Sequence, residues 1–395
     1  MAAPLKAAAT SAGSFVPRAV FEVSPSITRS YFLGHHASAL SSMRKILSNI
    51  GLVLECRDSR VPLTSTNPLL ETALAGRDRI IVYTKSDLCA PASASRWMEK
   101  QKQLLINYHS DRSGIIFEAD DGDDTYSGER RNRNRGEGAG PDNTKVVFTD
   151  ERNPRTIQHL LNAIKTRATA TDSLTGLRAL VVGMPNAGKS TLLNALRRVG
   201  LSLPKAARTG AQPGITRKLG TPVRVIGEDS RAGIEQGVFV VDTPGVFVPY
   251  VGDAGAMLKL SLVGCVKDGL VPVEVVADYL LFNLNLRDPS SYAAFSAPTN
   301  DIQEFLDAVA RRTGKLQKGG VPSREQAAEW VVQQWRKGEL GRFGLDDVSE
   351  ESLKEKMRKE RTGEEEHVSL NQARKREKEA RKARHAAKRQ AAEGA

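Results

Sequence analysis

The sequence predicts an α/β protein built around a phosphate-binding loop, followed by a small all-helical domain and a charged tail. Three observations predict it. Apolar runs of strand length ending in polar residues, "LVLECRD", "RIIVYTKSD", "KVVFTD", "LRALVVG" and "GVFVVDTPGV", alternate with segments of helical spacing, the pattern of an open sheet with ligand groups at the carboxyl ends of its strands. The stretch "GMPNAGKST" stands between one such strand and a helix. Past Pro249 the strand pattern stops and helix-period segments take over.

With 395 residues, 40% of them hydrophobic, the chain can pack two ordinary domains plus tails. It has no apolar run of about 18 residues, which excludes a membrane-spanning helix. Cys56, Cys89 and Cys265 are far apart and form no CxxC pair, so they read as buried apolar side chains in a reducing compartment. The net charge of +12 points to a polyanionic partner, nucleic acid ahead of a membrane surface. Residues 371–395 hold nine Lys/Arg against three Glu, and that difference supplies half of the +12.

Taken in order, residues 1–30 are rich in Ala and Ser, carry Lys6, Arg18 and Arg29, and have Glu22 as their one acid. They read as a mitochondrial leader or as an unstructured N-terminus, Pro4 and Pro17 interrupting any amphipathic helix. Residues 31–249 form the predicted α/β domain, beginning with a helix over "SALSSMRKILSNI". Within it, residues 111–143 are mostly Gly, Asp, Arg and Asn, too polar to order themselves, and read as a surface insertion. "AMLKLSLVGCVKDG", "PVEVVADYLLFNLN", "DIQEFLDAVARRTG" and "SREQAAEWVVQQWRKG" predict an all-helical domain over 250–345. Residues 346–395 form a charged tail, solvated or helical when bound.

Gly183-Met-Pro-Asn186-Ala187-Gly188-Lys189-Ser190-Thr191 fits GxxxxGK[ST] in its strand-to-helix context. Backbone N–H groups of such a loop close around phosphates at a helix N-terminus, with Lys189 on the β/γ-phosphates and Ser190 on Mg²⁺. Asp242 in "DTPG" ends the next strand, where it can hold Mg²⁺ through water while the Gly245 amide meets a γ-phosphate. Thr216 in "PGITR" lies between the two motifs, placed to complete the metal shell and let go after hydrolysis. In "TKSD", Asp87 can accept from the N1–H and exocyclic amine of guanine, and the Lys85 stem can lie along the base. Thr84 stands where Asn is usual, which implies a loss of bracing on the phosphate loop. "FTD" takes the place of the second base-contacting loop, with Thr149 its candidate.

The order of these pieces is unusual, the base reader preceding the phosphate loop. With "YFLGHH…RDSRVPLTSTNP", it resembles the circularly permuted GTPases of the YlqF/RbgA family and their mitochondrial ribosome-associated branch, over about residues 31 to 343. The resemblance implies a permuted P-loop GTPase domain with GTP as substrate, Mg²⁺ as cofactor and slow turnover, because Val246 replaces the usual water-orienting Gln. It further implies that His35, matching a "PGH" motif with Leu33 in place of Pro, reaches the attacking water, and that Asn186 helps seat K⁺. A structural His35 and an ordinary loop Asn186 are the competing readings.

The partner implied is the mitochondrial large ribosomal subunit and its rRNA, met by a monomer in the matrix or at the matrix face of the inner membrane, with GTP hydrolysis coupled to release. A GTP-regulated adaptor peripheral to that membrane is the alternative, although the tail lacks the large apolar face such a helix needs. A translation factor would need a further barrel or tRNA-mimicking domain, which the sequence does not show. The tail either contacts rRNA or is a solubilising charged helix.

Overall fold

In the computed structural model of the chain, the described residues are 15–24, 27–28, 31, 34–113, 144–171, 175–207, 209–210, 219–248, 250–362, 372, 375, 378–379 and 382. They divide into two compact units, one joining the N-terminal residues through Val23 to Val271–Gly341, the other comprising Ser24–Leu270 and the chain from Arg342.

The larger unit contains, in order, α1 (Gly34–Ile46), β1 (Leu52–Asp58), α2 (Pro68–Ala73), β2 (Arg79–Thr84), α3 (Ser95–Ser113), β3 (Thr144–Phe148), α4 (Pro154–Ala170), β4 (Leu177–Gly183), α5 (Lys189–Leu201), β5 (Val223–Ile226), β6 (Val238–Asp242) and α6 (Ala254–Leu262). The strands form one sheet in the order β3-β2-β1-β4-β6-β5. Every neighbouring pair is parallel except β5 with β6. The first three strands run outward from the centre on one side and the last three on the other, so β1 and β4 meet where the winding reverses. In such sheets the crevice at the carboxyl ends of those two strands is the ligand position.

Alternation along the strands builds a layer on each face. Leu52, Leu54, Ile80, Val82, Ala179 and Val181 face α4 and α5, which return Ile157, Leu160, Leu161, Leu192 and Leu196. Val53, Leu180 and Val182 face Leu40 and Met43 of α1 and Leu70 of α2. Ile81 and Tyr83 pack on Leu105 and Tyr108 of α3. Glu55 and Arg57 point into the α1/α2 layer and are buried there as part of a charge network. Arg57 donates to Glu55 at 2.7 Å and to Glu71 of α2 at 2.5 Å, and Arg79 donates to both glutamates at 3.0 and 2.9 Å. Four hydrogen bonds shared among two cations and two anions meet the desolvation cost that an unpaired buried charge would leave.

The smaller unit holds α7 (Val273–Arg287), α8 (Ile302–Thr313) and α9 (Arg324–Lys337), packed around Phe305, Val331 and Trp335. Asp301 caps α8 by accepting from Gln303 and Glu304 amides, and Arg324 of α9 makes a two-toothed ion pair with Asp307 at 2.7 and 3.0 Å.

Three stretches sit in places their composition does not announce. Residues 16–23, inside the expected leader, are part of the helical unit. Arg18 pairs with Asp278 at 2.5 Å, the Asn300 side chain donates to the Val16 carbonyl at 2.9 Å, and Phe21 meets the Tyr279 and Phe282 rings at 5.3 and 5.6 Å. Helix α6, read as the start of the helical domain, belongs to the larger unit. In the expected tail, α10 (Glu350–Thr362) buries Leu353, with Val348 before it, against Tyr83 and Tyr108. The Asp346 carboxylate anchors this return, accepting from the Leu63 and Thr64 amides at 2.8 Å each and from Lys259 of α6 at 3.0 Å. Residues 114–143 of the expected insertion, and all of 371–395 except five positions, lie outside the described residues.

Candidate nucleotide site

Strand β4 delivers the phosphate loop to the crevice beside β1, Cys56 pairing with Gly183. Gly188, at φ 84°, turns the chain into α5, and a Cβ there would come within 3.3 Å of Thr84. Lys189 is buried, and its Nζ donates to the carbonyls of Met184 at 2.7 Å and Gly183 at 3.3 Å. Burial holds its pKa below the ordinary lysine value, the nearby Asp242 carboxylate opposing that shift. A phosphate would restore the missing counter-charge. Ala187 is buried and Thr191 lies within the first turn of α5.

Ser190 Oγ donates to Asp242 Oδ2 at 2.6 Å, bringing a hydroxyl from the first turn of α5 and a carboxylate from the end of β6 to one point. Both are hard oxygen donors of the kind Mg²⁺ takes, one or two from protein and the rest from phosphates and water. Among the described residues there is no cluster of three His, Cys, Asp or Glu that could hold a metal by protein groups alone. The residues present therefore fit a nucleotide-borne Mg²⁺. Thr216 lies outside the described residues.

The "TKSD" turn reaches the phosphate loop directly. Lys85, at φ 56°, sends its Nζ to the Asn186 carbonyl and to Asp58 Oδ2, both at 2.8 Å. Thr84 Oγ1 donates to the Ala187 carbonyl at 2.8 Å. The loss of bracing implied by Thr84 is therefore not seen, because its hydroxyl spans from β2 to the loop. Asp58 is wholly buried between Arg60 and Lys85. Burial alone would raise its pKa, but the two cations outweigh it and hold the carboxyl well below the usual carboxylate range. Sequence reading passed over Asp58, although the close spacing of Asp58 and Arg60 at the end of a predicted strand was the available signal.

Asp87 sits half-buried in a 3-10 turn over Ser86–Leu88. Burial, and next the Asp150 carboxylate, push its pKa above that of an ordinary aspartate. Thr149 joins the turn through its backbone, its carbonyl accepting from the Ser86 amide at 3.2 Å and its own amide donating to Tyr83 at 2.8 Å. Asn186 Nδ2 donates to the Gly264 carbonyl beyond α6 at 2.7 Å, and its Oδ1 is the atom a K⁺ would need.

Gly245 lies against the phosphate loop so closely that a Cβ would stand 2.6 Å from Pro185 Cα. The neighbouring Thr243 hydroxyl donates to Val181 at 2.7 Å and the Val246 amide to Gly183 at 3.1 Å. His35 is the second residue of α1, its side chain outside the described residues. His36 beside it is 1% exposed, packs edge-on to Tyr31, and places Nδ1 2.9 Å from the Gly245 carbonyl. Asn67 donates to the Val246 carbonyl at 2.8 Å. Asn67 was not singled out from sequence, and His36 only as the alternative to its neighbour His35, since nothing local in "GHHAS" or "STNPLL" tells which carbonyl each will meet.

Sheet order, phosphate loop and base-reading turn together define a P-loop GTPase whose chain order is rotated, its base-reading strands written first. Residues 178–309 match the family model described as 50S ribosome-binding GTPase. The chain is 35% identical over 330 residues to mitochondrial GTPase 1 of Schizosaccharomyces japonicus, covering 83% of this chain and 93% of that protein. It is 29% identical over 352 residues to mitochondrial ribosome-associated GTPase 1 of Xenopus tropicalis, covering 84% and 99%. With ribosome biogenesis GTPase A of Priestia megaterium it shares 28% identity over 333 residues, covering 82% and 98%. The chain belongs to the mitochondrial GTPase 1 family of circularly permuted GTPases.

Proposed function

We propose that this protein binds GTP in the crevice between β1 and β4 and hydrolyses it during assembly of the mitochondrial large ribosomal subunit, hydrolysis releasing it from the subunit. The observation that carries the reading is the convergence of "TKSD" on the phosphate loop, where Lys85 and Thr84 donate to the carbonyls of Asn186 and Ala187. Base and phosphate recognition are thereby coupled through two side chains. The names of the relatives support the ribosomal part of the proposal.

In this reading Asp87 accepts from the guanine N1–H and exocyclic amine, and Thr149 shapes the turn behind it. Lys189 and the loop amides from Asn186 to Thr191 hold the phosphates. Mg²⁺, held by Ser190, by Thr216 and through water by Asp242, would neutralise charge that builds up on the phosphate oxygens. Asn186 Oδ1 is the proposed K⁺ ligand. Water attacks the γ-phosphorus and the bond to the β–γ bridging oxygen breaks, leaving GDP and phosphate. Val246 has no polar atom to orient that water, so turnover by the free protein is slow. His35 is the proposed orienting group, acting when the ribosomal subunit brings it to the γ-phosphate.

Single-turnover hydrolysis with and without saturating large subunits tests this. Subunits should accelerate the parent protein, and His35→Ala should lose most of the acceleration while GTP affinity changes little. Equal subunit-stimulated rates in the two proteins would remove His35 from the reaction.

A further inference from the structure

Gly245 is the freest residue in the "DTPG" turn, yet its peptide link to Val246 is held at both ends. The N–H of that link donates to Gly183 at 3.1 Å, and its carbonyl faces His36 Nδ1 at 2.9 Å. A carbonyl oxygen can only accept, so the ring carries its proton on Nδ1. The next carbonyl, of Val246, is taken by Asn67 at 2.8 Å. His36 and Asn67 are each 1% exposed and come from α1 and from the N-cap of α2, the helices that cover this face of the sheet.

We propose that His36, seconded by Asn67, is a positioning residue for γ-phosphate recognition. It holds the Gly245 carbonyl and so fixes the residue on the far side of its Cα, steadying the Gly245 N–H, which belongs to the preceding Pro244–Gly245 peptide and faces the third phosphate. Glycine has no Cβ to limit φ and ψ, so without a donor on its carbonyl the whole residue can turn between its neighbours, and its N–H is no longer preorganised. The preceding Thr243 and the Val246 amide anchor the turn to β4 but leave the Gly245 carbonyl unheld. His36 supplies the remaining point of attachment, from the first turn of α1, where His35 also lies. The inference rests on the reading of Gly245 as the γ-phosphate sensor.

The test compares affinities of the full chain for GDP and for a non-hydrolysable GTP analogue. His36→Leu keeps the apolar bulk between Tyr31 and Phe247 and removes the donor. It should weaken the analogue by about tenfold and leave GDP within about twofold, the size of effect expected from one buried carbonyl left unpaired. His36→Asn places an amide N–H where Nδ1 stands and should recover most of the loss. His36→Gln reaches toward the Nε2 position instead and should not. Should His36→Leu fold poorly, the Asn and Gln variants alone decide the point. Equal loss for GDP and analogue, no loss for either, or no advantage of Asn over Gln would overturn the proposal. Lys189→Ala separates the two levels of failure: if it spares nucleotide binding, the site assignment fails, whereas if it abolishes binding and His36→Leu has no selective effect, only the role of His36 fails.

Discussion

In the proposed function Asp87 serves two opposed demands. Guanine would need its carboxylate ionised, while burial and the neighbouring Asp150 favour the proton and raise its pKa. For a carboxyl with a raised folded-state pKa, protonation favours the fold, and that contribution is lost as pH rises through the folded value. Asp87→Asn should therefore raise the melting temperature of the nucleotide-free protein at neutral pH while weakening GTP at least about tenfold and favouring xanthosine triphosphate. Calorimetry on the same preparations checks both, and an Asn variant that melts lower would contradict the electrostatic account. Acidification should weaken GTP binding of the parent at a higher pH than an ordinary aspartate would allow. Asp58 shows the reverse sign, its pKa held low by Arg60 and Lys85 after burial has pushed it up. Its contribution is present above the unfolded pKa and fades as pH falls through the folded one. Asp58→Asn should cost about 3–5 kcal/mol in chemical denaturation, since it leaves two cations facing a neutral group. Of these residues Asp87, Lys85, Lys189 and Asp242 were legible, because each sits in a short motif whose spacing is set by a phosphate or a base. His36 and Asn67 were not, because their partners lie 209 and 179 positions away in the chain, and Asp58 showed only its near partner Arg60, its second cation, Lys85, lying 27 positions on.

Among the elements, the strands read clearly from sequence where an apolar run marks them, as "VVF" marks β3 although only Val147 in it is fully buried. β4 is apolar apart from Arg178, and β1 read as a strand although it carries Glu55 and Arg57, because the apolar residues around them outweigh two charges whose partners, Glu71 and Arg79, could not be seen. β5 escaped notice, being four residues long with Arg224 exposed among valines. Amphipathic pattern likewise could not say which unit α6 would join, nor that an Ala- and Ser-rich leader would keep a structural segment. Residues 16–23 hold on through Arg18, Phe21 and the Asn300 bracket. Phe21→Ala should therefore lower the stability of the helical unit by about 1–3 kcal/mol, from lost aromatic packing and area. Unfolding followed by Trp fluorescence reads this out, since Trp330 and Trp335 both lie in α9 and only Trp97 stands elsewhere. An unchanged transition would mean that the segment adds nothing to the unit. If the chain carries a removable leader, N-terminal sequencing of the mature protein should find the cut before Val16.

For the molecule as a whole, rotating the chain order leaves the sheet intact and changes only where the chain goes on leaving each strand. "DTPG" becomes the last strand end of the sheet, and the chain beyond it continues through α6 into the helical unit from Val271. A change at the third phosphate is thus connected, by covalent sequence, to the helical unit. The nine cations of residues 371–395 should add to the salt dependence of RNA binding, each phosphate contact releasing counterions. Deleting that segment should flatten the slope of affinity against salt and spare GTP hydrolysis by the free protein, and an unaltered slope would return the tail to a solubilising role. The central claim is that the third phosphate of GTP controls attachment to the ribosome. Sedimentation of the full chain with mitochondrial large subunits, in a non-hydrolysable GTP analogue and in GDP, tests it most directly. The account predicts co-sedimentation with the analogue and loss of it in GDP, whereas equal attachment in the two nucleotides, or none in either, would contradict it.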